Sequence, residues 1–139
     1  MKECLKPVEY DLEKRLLEFA ATVIEVSEKL PNSRAGNHVA SQLLRAGTSP
    51  YGNHGEAQPA ESADDFIHKM KICLKELRET LRWGKLADRE RWLDSDPKLA
   101  FLLRESDELI RIFRASIATA ERNRLRGARA VRGRAIPVA

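Results

Sequence analysis

Apolar residues in the first part of the chain recur at alternating spacings of four and three: Leu12, Leu16, Phe19, Val23, Val26 and Leu30. At 3.6 residues per turn this spacing draws one apolar seam along a helix. A sustained four-three alternation suits a helix that lies nearly parallel to its neighbours, because the seam then stays in contact along its length. A half-buried strand needs alternation at every second residue, and no segment of the chain has that pattern. The chain is expected to be all-α.

The rest of the sequence supplies three more helices. Pro31 stops the first, and Asn32 or Ser33 can cap the second. The second opens near Arg34 with Val39, Leu43 and Ala46 on its apolar face. Ser62 is a candidate cap for the third, with Asp64 and Asp65 suited to the positive end of the helix dipole. Phe66, Ile67, Met70, Cys73, Leu74, Leu77, Leu81 and Gly84 then share one wide face, to about Arg91. Asp94 to Pro97 form a turn and cap, after which Leu99, Leu102, Leu103, Ser106, Leu109, Ile110, Phe113, Ser116, Ile117 and Ala120 repeat at helical spacing. Glu25 and Lys29 can pair across one turn on the wet side of the first helix. Short links between long amphipathic helices imply an antiparallel up-down-up-down four-helix bundle. The expected division is a bundle over 1–124 and a basic disordered tail over 125–139, which lacks a core face.

Charge distinguishes the two parts. All 21 acidic residues precede Leu125, and the tail carries four arginines, Arg126, Arg129, Arg132 and Arg134. Without them 21 basic residues balance 21 acidic ones, so the net charge of +4 resides in the tail. Cys4 and Cys73 form no CxxC pair, which argues against a disulfide scaffold or a cysteine zinc site and for a reducing compartment. The start has no apolar leader and no apolar run is long enough to span a membrane, so a cytoplasmic protein without a membrane partner is expected.

Between the second and third apolar patterns lie Gly47, Pro50, Gly52, His54 and Gly55. Local rules break a helix at Pro50, because proline lacks the backbone donor and clashes with the preceding turn. The glycines match neither a P-loop nor a dinucleotide fingerprint. His38, His54 and His68 lack metal-ligand spacing and read as surface or interface histidines. Asn53 and Glu56 lie three apart on one helix face, where they could make a structural polar contact with Arg45 or a partner helix. No nucleophile-base pair accompanies them, so no catalytic residue, metal or cofactor is expected.

An ordered set of short motifs runs through this region. Gln42 to Ala46 is similar to a QLxRA motif, Ser49 and Pro50 follow, and Asn53 to Glu56 fits N-x-x-E. Asp65, Phe66 and Ile67 resemble an xEFI opening, and Leu74 to Thr80 resembles S-x-x-E-L-x-T. Together they resemble the four-helix-bundle proteins encoded in intervening sequences of 23S ribosomal RNA genes, over about Tyr10 to Asn123. The family's SIxANIAEG is replaced here by a stretch holding Tyr51, Gly52, His54 and Gly55. The resemblance implies that Arg34 to about Ala57 form one helix kinked at Pro50, in which Gly47, Gly52 and Gly55 let neighbouring helices approach. It also implies a ring-shaped homopentamer. A related group serves as accessory subunits of reverse transcriptases in diversity-generating retroelements, contacting nucleic acid and the polymerase.

Two surface patterns on the third helix bear on function. Lys71, Lys75, Arg78, Arg82, Lys85 and Arg89 repeat at spacings of 4, 3, 4, 3 and 4. They make a stripe about 27 Å long at 1.5 Å per residue, flanked and in part neutralised by Glu79. Such a stripe is either a solvated face or a track for nucleic-acid phosphates. Arg122 and Arg124, with the four tail arginines, extend the second possibility to RNA or DNA bound without base reading. Ile72, Trp83 and Leu86 fall away from the apolar face and are candidates for a contact between copies. The function expected is a non-enzymatic, oligomeric, nucleic-acid-binding accessory protein; the alternative is a purely structural ring or protein adaptor that binds no nucleic acid.

Overall fold

The computed structural model describes residues 8–58 and 62–134. Four helices account for nearly all of them: α1 (Val8–Lys29), α2 (Arg34–Ala57), α3 (Ala63–Arg89) and α4 (Pro97–Arg134). No strand occurs among the described residues. Consecutive helices pack side by side, α1 also meets α4, and α1 and α3 stand at diagonal corners. This is the antiparallel four-helix bundle that the apolar spacing predicts. The seam residues Leu16, Phe19, Val23 and Val26 are fully buried, against Leu43, Cys73, Leu77, Leu102, Leu109 and Phe113. No helix among the described residues is long and apolar enough to cross a membrane.

The starts of α2, α3 and α4 are capped by side chains. The Ser33 hydroxyl accepts from the Gly36 amide at 3.0 Å, and the Ser62 hydroxyl from the Asp65 amide at 3.1 Å. Asp96 accepts from the Lys98 amide at 2.8 Å and from Lys29 Nζ at 3.1 Å. The amide bond, then the Lys29 bond, hold its carboxyl below the usual carboxylate range. Lys29 thus serves the start of α4, and Glu25 pairs with Lys98 at 3.4 Å rather than with Lys29 as its spacing suggested. α3 ends with the Trp92 amide donating to Ala87 O and the Arg91 amide to Asp88 O. Arg91 sits at φ 57° there, the left-handed position that glycine usually fills.

α2 continues through Pro50, as the resemblance implied. Pro50 is buried, and the Cys73 thiol of α3 lies 3.6 Å from its carbonyl oxygen. Packing on both sides outweighs the local cost of the ring. Of the three glycines expected to admit a neighbouring helix, only Gly47 does so: a Cβ there would lie 2.5 Å from Val23 Cγ2. Gly52 and Gly55 have nothing within 4 Å of such a Cβ, because they point away from α1 and α3. Gly84 is a close approach the spacing did not single out, with Leu102 Cδ2 2.8 Å from its virtual Cβ.

The segment after residue 124, expected as a disordered tail, begins as helix. α4 runs on to Arg134, and residues 122–133 are exposed. Absence of a core face does not end a helix that is already nucleated, since each added residue gains a backbone bond at little entropic cost. The alanines and arginines of this stretch are good helix formers. Residues 135–139 and Cys4 lie outside the described residues.

Opposite effects are expected at two glycines of the same helix. Gly47→Ala should destabilise by about 1–3 kcal/mol through overpacking, while Gly52→Ala should stabilise by about 1 kcal/mol through helix propensity. Urea unfolding midpoints measure both.

Candidate nucleic-acid interface

The buried face of α3 carries Ile67, Met70, Cys73, Leu77, Thr80, Gly84 and Ala87. Its solvent side carries the predicted stripe, and Lys71, Lys75, Arg78, Arg82, Lys85 and Arg89 are all exposed. Lys71 Nζ lies 3.0 Å from Glu121 of α4, which offsets its charge. The other five make no ion pair among the described residues. They sit on one rigid helix, so the charges keep their spacing.

Glu79 does not neutralise this stripe. Its carboxylate accepts from Arg45 and, at 3.3 Å, from the Trp83 indole N–H. Arg45 also reaches Glu76 at 3.2 Å. A single guanidinium of α2 therefore holds both carboxylates on the α2 side of α3, away from the basic edge. The pairing of Glu76 and Glu79 three residues apart was a readable signal, but their partner lay on another helix.

The contact expected between Arg45, Asn53 and Glu56 does not form within the chain. Arg45 is engaged by α3, Asn53 donates to the Ser49 carbonyl at 3.1 Å and to its hydroxyl at 2.8 Å, and Glu56 is exposed. Two turns along α2 separate Arg45 from Asn53, too far for one cluster. His54, read from the sequence as a surface or interface histidine, is buried within the bundle, with its ring edge-on to Phe113 at 6.1 Å and Nε2 3.1 Å from Gln58 Nε2. The signal was present: Val39, Leu43, Ala46, Pro50, His54 and Ala57 form one row at spacings of three and four, and all six are buried.

The three apolar candidates on α3 separate. Trp83 is half-buried, packs against the core, and meets His38 of α2 edge-on at 5.8 Å. Its ring therefore belongs in part to the α2–α3 contact. Ile72 is half-buried, and Leu86 is 39% exposed. Glu79, Arg82, Trp83, Lys85 and Leu86 line a groove of about 490 Å³.

The arginines at the end of α4 stand on a helix rather than in an irregular tail. Arg124 pairs with Asp64 at the start of α3, at 2.8 Å, and Arg122 donates to Thr119 Oγ1 at 3.2 Å. Arg126, Arg129 and Arg132 are exposed and make no ion pair among the described residues. Arg134 closes the helix.

The model of the 23S rRNA-intervening sequence protein family matches residues 9–115. Among solved structures, the chain is similar to a protein of unknown function from the S23 ribosomal protein family of Bacteroides thetaiotaomicron. The two share 31% identity with a TM-score of 0.70, over 76% of this chain and 97% of that one. No curated protein matches.

Burial raises the Cys73 thiol from 9.0 to about 12, against a smaller opposing effect of its backbone bond. In a Cys4→Ser background, a thiolate-directed reagent at pH 8 should modify Cys73 at least about a hundredfold more slowly in the folded than in the urea-unfolded chain. Between pH 9 and 12 the unfolded chain releases a proton that the fold retains, so stability should fall as pH rises there.

Proposed function

Because the chain belongs to the 23S rRNA-intervening sequence protein family, we propose that it is a non-enzymatic, self-associating helical bundle that binds nucleic acid as an accessory subunit. The observation that carries this reading is the edge of α3, where Lys75, Arg78, Arg82, Lys85 and Arg89 stand exposed without acid partners among the described residues. Cations spaced along a rigid rod meet successive phosphates without having to be ordered first, and release condensed counterions as they bind. The helical extension adds Arg126, Arg129 and Arg132, and Arg134 at its end. These groups contact phosphates and not base edges, so affinity depends on salt more than on sequence. A polymerase of the reverse-transcriptase type is the protein partner this reading favours, on the resemblance to retroelement accessory subunits.

The competing reading is a structural ring or protein adaptor that binds no nucleic acid. Retention on single-stranded RNA across a salt series decides between them. A stop after Leu125 removes four arginines beyond the last core contact. It should lower the log-log salt slope by about 3, at roughly 0.7 per phosphate on single strands. An unchanged slope takes the extension out of the interface, and no retention by the full chain favours the adaptor.

A further inference from the structure

Exposed large apolar side chains concentrate away from the stripe, along the outer side of the α1–α2 seam. Leu17 is 47% exposed, Ile24 46%, Tyr51 38% and Leu44 37%. Their common placement follows from the closest approach of the two helices. Gly47 meets Val23 there. Leu44 and Tyr51 lie one turn to either side of Gly47 along α2, Ile24 follows Val23 on α1, and Leu17 is two turns before Ile24 on the same ridge. Gly55 continues this flank, with open space beyond its virtual Cβ. The ridge of α1 is closed at both ends by acids: Glu13 lies four residues before Leu17 and Glu28 four after Ile24, both exposed. Neither makes an ion pair among the described residues.

A surface of opposite charge and matching length lies on another side of the same bundle. Lys75 and Arg89 bracket the groove that holds Trp83 and Leu86. Glu13 and Glu28 are 15 residues apart, about 22 Å of helix, and Lys75 and Arg89 are 14 apart, about 21 Å. The α1 ridge carries Leu17 and Ile24 between its two acids, and the α3 ridge carries Trp83 and Leu86 beside a continuous row of cations, with Arg78, Arg82 and Lys85 between Lys75 and Arg89. α1 and α3 stand at diagonal corners, so no copy can join its own two surfaces.

We propose that the outer α1–α2 seam of one copy seats on the α3 groove of the next, with Glu13 and Glu28 against Lys75 and Arg89 and with Leu17 and Ile24 against Leu86. This rests on the self-association proposed above and names its two halves. The contact is head-to-tail, so it closes into a ring or continues as a filament, and does not stop at a two-fold dimer. Arg82 and Lys85 line that groove as well, so the contact takes up much of the stripe and leaves Arg78 and the arginines of the α4 extension to phosphates.

Native mass from light scattering on the full chain tests it, with circular dichroism checking that each variant keeps its helices. Leu17→Glu with Ile24→Glu, at exposed positions, should reduce the mass to that of one chain. Glu13→Lys with Glu28→Lys should weaken assembly at least tenfold, and adding Lys75→Glu with Arg89→Glu to that same chain should restore it. An oligomer indifferent to Leu17→Glu with Ile24→Glu, or a charge exchange that fails to restore assembly, overturns the seam-in-groove contact while leaving self-association standing. A monomeric native chain overturns both. RNA retention is scored on the native chain, because Lys75→Glu and Arg89→Glu also remove stripe cations, so loss of the nucleic-acid reading alone is recognisable.

Discussion

α2 has to remain one rod across Pro50, because it is the helix that packs against both α1 and α3. Its buried row crosses the proline, with Ala46 and Gly47 before it and His54 and Ala57 after. A break at Pro50 would detach the second half of that row and strip the cover from Cys73 and Phe113. The two approaches to α2 are different in kind. α1 comes close because Gly47 has no side chain, leaving Val23 against the backbone. α3 is held by the Arg45 bridge to Glu76 and Glu79 and by Trp83 against His38. The exposed ion pairs in this set contribute little each, so burial of the apolar rows is the main source of stability and the pairs set orientation.

That arrangement also sorts the charges of α3. Both carboxylates beside the stripe face Arg45, leaving the opposite edge positive. The same bridge therefore organises a helix contact and prepares a surface. Arg124 and Asp64 join the far end of α4 to the start of α3, after which α4 continues alone with its arginines in water. Basic groups on α3 and on the extension are carried by helices, so their spacing along each rod is fixed.

Much of the architecture was legible because it is repetitive. A seam such as Leu12 to Leu30 specifies a helix face by spacing alone, and Ser33, Ser62 and Asp96 cap their helices through neighbours two or three residues away. His54 illustrates how a residue's type can mislead where its position does not: it occupies a core position of the row, and burial beside Phe113 follows from that register. Trp83 illustrates the converse. Its angle on α3 points outward, but the flat ring reaches back over the α2–α3 contact, which only the distance between the helices determines.

From the sequence alone came the four amphipathic helices, their caps, the basic stripe and the family likeness, since each depends on residues close together along the chain. Only the tertiary structure decided which glycines are close approaches, which acids Arg45 holds, and which apolar groups stay exposed. Those properties are distances between residues on different helices, and periodicity within one helix carries no information about what stands opposite. The extension of α4 falls between the two: its composition permits a helix, and the folded bundle supplies the nucleus from which it grows.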